Sequence, residues 1–183
     1  MEKCLVLLRG INVGGSNVIK MEELKKTFEE FGFTGVRTYI ASGNVIFDSP
    51  GKDREKLARS IEKKLSEKYK TELKLVITGS VELKKIVEQA PKNFGKESKL
   101  RRYDVWFLRE ALTVKEVLEQ IKPLEGVDTI SGGKGVVYAS RLISMAGKSH
   151  LLRVNQMPIY QNLTVRSWNT VVKLLKLIEE EKK

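Results

Sequence analysis

The chain has one cysteine, Cys4, one histidine, His150, and few aromatic residues, 7% of its 183 positions. Each scarcity excludes a class of protein. A single thiol cannot build a disulfide framework and suits a reducing compartment, so the expected location is cytoplasmic. One histidine and one cysteine cannot assemble a His/Cys zinc site or a Cys-His nucleophilic pair. A Ser-His-acid triad would have to use His150, and no Gly-x-Ser-x-Gly elbow accompanies it. The only aspartates are Asp48, Asp53, Asp104 and Asp128, with no close pair to hold magnesium. No apolar run reaches the roughly 18 residues of a membrane span, and Met1 to Leu8 lacks the basic flank and cleavage site of a signal peptide. No membrane function is expected.

What the chain does have is positive charge. Its 34 Lys plus Arg against 23 Asp plus Glu leave +11, a balance that attracts phosphate groups or nucleic acid. Much of that charge lies on helical stretches of mixed sign, where it serves equally as a solvated, solubilising face. Both readings stand at this point. With 41% hydrophobic residues the chain can bury a proper core, as one compact domain or two small ones.

Periodicity orders the elements. Cys4 to Leu8 is a continuous apolar run, the pattern of a buried strand. Met21, Leu24, Phe28 and Phe31 recur at helical spacing, and Gly32 ends that helix. Val36–Ile40 and Val45–Phe47 flank Ser42, Gly43 and Asn44 and read as a hairpin. Asp53 caps a helix striped by Leu57, Ile61 and Leu65, and Leu73–Ile77 supplies a strand. Ser80 caps a helix through Ala90, and 91–102 reads as a connector. The pattern then restarts with a strand at Tyr103–Leu108, a Thr113/Glu116 capping box, and a second hairpin, Val127–Ile130 with Val136–Tyr138, around Gly132 to Gly135. A last helix carries Trp168, Val171, Val172, Leu175 and Ile178 on its apolar face.

The expected fold class is therefore α+β: two related ferredoxin-like halves of β-α-β-β-α-β type, with antiparallel or mixed sheets. The expected boundaries are an N-terminal subdomain at 1–79, a helix and connector at 80–102, and a C-terminal subdomain at 103–183. The halves resemble each other: Leu5 to Arg9 parallels Val105 to Arg109, and Val45 to Ser49 parallels Val136 to Ser140, allowing one-residue gaps. They differ where strand meets helix. The first half carries Gly10 to Lys20 there, and the second only Glu110 to Leu112. Gly10, Gly14 and Gly15 permit left-handed backbone, so N–H groups could converge on an anion beside Arg9 and Lys20. A long connector held by its own Asn12 and Asn17 is the equal alternative.

Three stretches carry a resemblance: Leu7 to Gly15, Tyr39 to Val45, and Arg166 to Val171. Together they resemble the family known as domain of unknown function 1697, with Ser167 standing where that family usually has Asn. The resemblance implies a bacterial-type cytosolic protein with two ferredoxin-like subdomains. It implies no reaction and no cofactor.

Two other motifs are weaker than they look. Gly147-Lys148-Ser149 ends like a P-loop, but Leu142 occupies the position of its first glycine. Gly133 and Gly135 lack the third glycine of a dinucleotide fingerprint, and turn formation explains them. The candidate ligand-binding residues are Arg9, Gly10, Asn12, Gly14, Gly15, Lys20, Ser42, Asn44, Arg166 and Asn169, surrounding a phosphate-bearing or other anionic small molecule. The first alternative is nucleic acid, RNA or single-stranded, on a distributed basic face, although the strand aromatics Tyr39, Phe47, Trp106 and Tyr138 do not form the RNA-recognition consensus and half of them must face the core. The second is a protein-interaction module without a small ligand.

Overall fold

The computed structural model describes residues 2–15, 17–49, 53–109 and 111–180. Two four-stranded sheets are present, each entirely antiparallel in its strand pairs. The first contains β1 (Glu2–Leu8), β2 (Thr34–Tyr39), β3 (Asn44–Ser49) and β4 (Leu75–Gly79) in the order β2-β3-β1-β4. The second contains β5 (Arg101–Leu108), β6 (Asp128–Gly132), β7 (Val136–Leu142) and β8 (Leu163–Ser167) in the order β6-β7-β5-β8. The two orders are the same, so the chain consists of two similar α+β halves consistent with ferredoxin-like architecture. Cα packing divides it into one unit of residues 1–83 and 174–183 and a second of 84–173.

In the first unit, β1 is buried on both faces, with Cys4 to Leu8 all at 0% exposure, which is why its sequence is an unbroken apolar run. Cys4, Val6 and Leu8 meet Leu24 and Phe28 of α1 (Met21–Glu30) and Ile61 and Leu65 of α2 (Arg54–Tyr69) in one core. Asp53 caps α2 as expected, its carboxylate accepting from Lys56 N–H at 3.0 Å. Burial pushes the Cys4 thiol up in pKa, so the thiolate that reactive cysteines need is disfavoured.

In the second unit, Trp106, Val137, Ala139 and Leu163 pack against Val117 of α4 (Val114–Gln120) and Leu151 and Val154. The Thr113/Glu116 capping box is present in full. Where the first unit uses α2, the second uses three 3-10 turns, Ala146–Lys148, His150–Gln156 and Pro158–Asn162. Asp128 holds the junction of the first two: its carboxylate accepts from Ser149 O–H at 2.6 Å, His150 N–H at 2.8 Å and Leu124 N–H at 3.0 Å.

Several local expectations shift. The stretch from Arg166 ends β8 before it begins a helix: Arg166 and Ser167 are strand, and α5 runs from Trp168 to Glu180. Leu174 joins the buried face of α5 at 0% exposure. The helix at Ser80, α3, includes Ser80 and stops at Glu88. The hairpin alignment moves by one residue. Leu5 pairs with Ile46 and Val105 with Tyr138, so Val45 corresponds to Val137 and not to Val136.

Candidate functional site

Antiparallel pairing of β1 with β3 and with β4 brings three connections to one end of the first unit: the loop after β1, the β2–β3 hairpin and the turn before β4. Backbone bonds tie them at the root. Leu8 N–H donates to Gly43 O at 2.8 Å, and Arg9 N–H donates to Lys74 O at 2.9 Å.

Beyond Arg9 the loop is held by its asparagines. Asn12 Nδ2 donates to Ile19 O at 2.9 Å and to Ala41 O at 2.8 Å, and Asn12 Oδ1 accepts from Ile19 N–H at 2.8 Å. One side chain therefore closes the loop on itself and fastens it to the hairpin. Asn17 adds a bond from Nδ2 to Gly10 O at 3.2 Å, and its Oδ1 accepts from Thr71 O–H at 3.3 Å. Ile11 and Ile19 pin the loop to the core, at 1% and 4% exposure. Gly43 must be glycine: a Cβ there would stand 2.7 Å from Ile11 Cδ1 and 2.8 Å from Leu8 Cβ, and its φ is +78°.

Gly10, Gly14 and Gly15 are exposed and left-handed, with φ of 68°, 57° and 79°. Apart from the adjacent residues of the chain, no described atom lies within 4 Å of where a Cβ would stand at any of the three. The left-handed backbone is thus maintained with open space in front of it. Asn12, Asn17 and Ile40 are left-handed too, at φ of 55°, 49° and 48°. For Ile40, a β-branched residue, that conformation is an outlier.

The other expected residues are placed as follows. Lys20 is exposed at the N-cap of α1. Asn44 is buried at 0%, and its Nδ2 donates to Tyr39 O at 2.8 Å and to Ser42 Oγ at 3.0 Å, so it braces the hairpin. Arg166 and Asn169 belong to the second unit. Arg166 sits on β8 opposite Val105, where burial lowers its pKa to about 10 and leaves it charged at neutral pH. Asn169 is exposed on the first turn of α5 and lines a cleft with Arg101 and Arg102. Sequence reasoning missed the Ala41 carbonyl and the Ile11–Gly43 contact, which only the fold brings to the loop. Among the described residues no three His, Cys, Asp or Glu side chains group to hold a metal ion, and no helix is long and apolar enough to cross a membrane.

The sequence profile of the family described as protein of unknown function DUF1697 matches residues 1–138, three quarters of the chain, ending within β7. This chain belongs to that family. The DUF1697 fold is also seen in the conserved bacterial protein SP0830 from Streptococcus pneumoniae, which superimposes with a TM-score of 0.86 at 24% identity over 98% of this chain and 99% of that one. A likeness at that identity speaks for the fold alone. No curated protein matches this DUF1697 chain.

Proposed function

We propose that the Arg9 to Gly15 loop, with Lys20 beside it, binds a phosphate-bearing or other anionic small molecule, in the cytoplasm. The observation that carries this reading is a rigid loop with an open face. Asn12 commits its whole side chain to fixing the backbone, while Gly10, Gly14 and Gly15 stay left-handed and open to solvent. Left-handed residues turn successive N–H groups toward one side, the concavity that captures anions. Arg9 and Lys20 supply the positive field, and a ligand held by preformed groups loses little to ordering entropy. Binding is the activity proposed; the loop holds no general base.

The nucleic-acid alternative has less support. Phe47 is buried at 0% and Trp106 at 3%, so neither ring is available for base stacking.

The test is thermal unfolding of wild type and Arg9→Ala against nucleotides, sugar phosphates, coenzymes and short oligonucleotides at two salt concentrations. A ligand at about 100 times its Kd adds about 2.7 kcal/mol, or roughly 5–10 °C in a chain of this length. The proposal expects a shift with a small anion that Arg9→Ala abolishes. A shift confined to oligonucleotides that collapses with salt and ignores Arg9 would overturn it.

A further inference from the structure

The second unit has a charged feature of its own at the opposite end of its sheet, where β5 begins. Arg101 Nε donates to Ser140 Oγ at 3.1 Å and Nη2 donates to Val127 O at 2.9 Å. Among the described residues no carboxylate pairs with it, and Nη1 has no protein partner. Its neighbours differ. Arg102 and Arg141 share Asp104, at 3.2 and 3.3 Å, and in the first unit Arg54 meets both Glu2 and Glu82 at 2.8 Å. Arg101 is a positioned guanidinium that no carboxylate among the described residues meets in an ion pair.

Two clefts meet at Arg101 and Tyr103. One, of about 310 Å³, adds Arg102, Ser98, Ser167, Asn169, Ile143 and the Trp168 indole, a lining without a carboxylate. The other, of about 450 Å³, adds the rings of Phe94 and Tyr138 and the hydroxyls of Thr129, Ser131 and Ser140, with Lys92 and Glu97 at its margin. Their wall is preformed. Phe94 meets Tyr103, Tyr138 and Trp168 edge-on at centroid distances of 4.9, 5.5 and 5.1 Å, which anchors the 91–100 segment. Gly95, at φ +86°, lies so close to the Trp168 indole that any side chain would collide with it.

An anionic head group fits the first compartment, and a ring with attached hydroxyls fits the second. Both volumes fall in the usual range for organic ligands, about 300–1,000 Å³, and an inorganic ion would leave the aromatic compartment empty. We infer that the second unit binds a small organic phosphate carrying a planar ring and sugar-like hydroxyls, with its phosphate on Arg101 and its ring beside Tyr103 and Phe94. This site is separate from the Arg9 loop.

The chain has two tryptophans, Trp106 in the core and Trp168 at the cleft, so their indole N–H resonances report on the site in the full-length protein. The probes are adenosine monophosphate, adenosine and inorganic phosphate. The monophosphate is expected to shift the Trp168 indole saturably and leave Trp106 in place, with each fragment binding at least about 10-fold more weakly. Arg101→Met should weaken the monophosphate at least about 10-fold, the contribution of a hydrogen bond to a charged group, and Arg9→Ala should leave it unchanged. Because Arg101 also braces β7, Asn169→Asp provides a second variant: it adds a carboxylate to the phosphate compartment at an exposed helix position and should weaken binding comparably. Absence of a saturable Trp168 shift, or equal affinity in Asn169→Asp and wild type, would overturn the inference.

Discussion

β1 and β5 end alike, down to individual bonds. Leu8 N–H reaches Gly43 O as Leu108 N–H reaches Gly135 O at 3.1 Å, and Arg9 N–H reaches Lys74 O as Arg109 N–H reaches Asn162 O at 3.0 Å. After each arginine the two chains diverge. In the second unit Leu112 N–H returns to Arg109 O at 3.0 Å and Thr113 starts α4 at once. In the first, the chain runs through Gly10 to Lys20, where five of the described residues are left-handed, Gly10, Asn12, Gly14, Gly15 and Asn17. The short version shows that this topology does not need the long loop. The long loop is nonetheless fastened with side-chain bonds, and that hold on a segment the second unit lacks is what the proposed ligand would account for. A second contrast runs the other way: α2 is a capped helix, whereas the first two of the 3-10 turns that replace it are joined through one carboxylate, Asp128.

That junction predicts the largest effect. Asp128→Ala should cost about 3 kcal/mol, the upper end for buried hydrogen bonds to a charged group, read as a lower urea midpoint. Asp53→Ala, which removes only the cap of α2, should cost about 1 kcal/mol. Equal losses would erase the contrast. Asp128 also carries a pH signature. Burial raises its pKa, but the bonds from Ser149, Leu124 and His150 outweigh it, and the net shift is downward. A carboxylate with a lowered folded pKa stabilises fully above the unfolded value, about 3.9, and loses its contribution as pH falls through the folded one. Asp128→Asn should therefore flatten the acid limb of the stability profile.

Asn12→Ala should cost about 2 kcal/mol, since it removes three bonds and leaves Ile19 N–H without its acceptor. Hydrogen exchange at Ile19 should accelerate while exchange in β5 stays as in wild type. Gly43→Ala should cost about 1–2 kcal/mol, through overpacking on Ile11 and the positive φ. Gly135→Ala, also left-handed but with open space around its Cβ position, should cost less. The smallest effect has the opposite sign: Ile40→Asn should stabilise by about 0.5–1 kcal/mol, because Asn tolerates the left-handed region that a β-branched residue resists. A loss at Ile40→Asn would mean that the exposed Ile40 side chain makes contacts that outweigh its strain.

Local signals made much of this legible in the sequence. The apolar run at Cys4–Leu8, the helical stripe of Met21 to Phe31, and the caps at Asp53 and Thr113 all act within a few residues, and they are enough to imply two α+β halves. The segment 143–162 is opaque because neither a helical nor a strand period runs through it; its first two turns are joined through Asp128, a strand residue distant in sequence. Behind so irregular a segment β8 has no signal of its own, and its last residues read as the start of the helix that succeeds them. The one-residue shift between the hairpins has a similar origin. Matching residue types aligns Val45 with Val136, whereas register is set by which face each strand must bury, and Val45 and Val137 are the pair that share a core position. The contrast between the halves at Arg9 and Arg109 needs no structure, because it is a difference in length. The clamp by Asn12 and the left-handed Ile40 do need one, since they depend on the hairpin arriving beside the loop.

The most direct test of the loop's role is to track the glycine amide resonances of the full chain during titration with inorganic phosphate. The account predicts saturable shifts at Gly10, Gly14 and Gly15 that Arg9→Ala abolishes, with Gly133 and Gly135 at the equivalent end of the second unit unmoved. Shifts of equal size in both sets of glycines, or none at Gly10, Gly14 and Gly15 while lysine-rich surfaces respond, would contradict it.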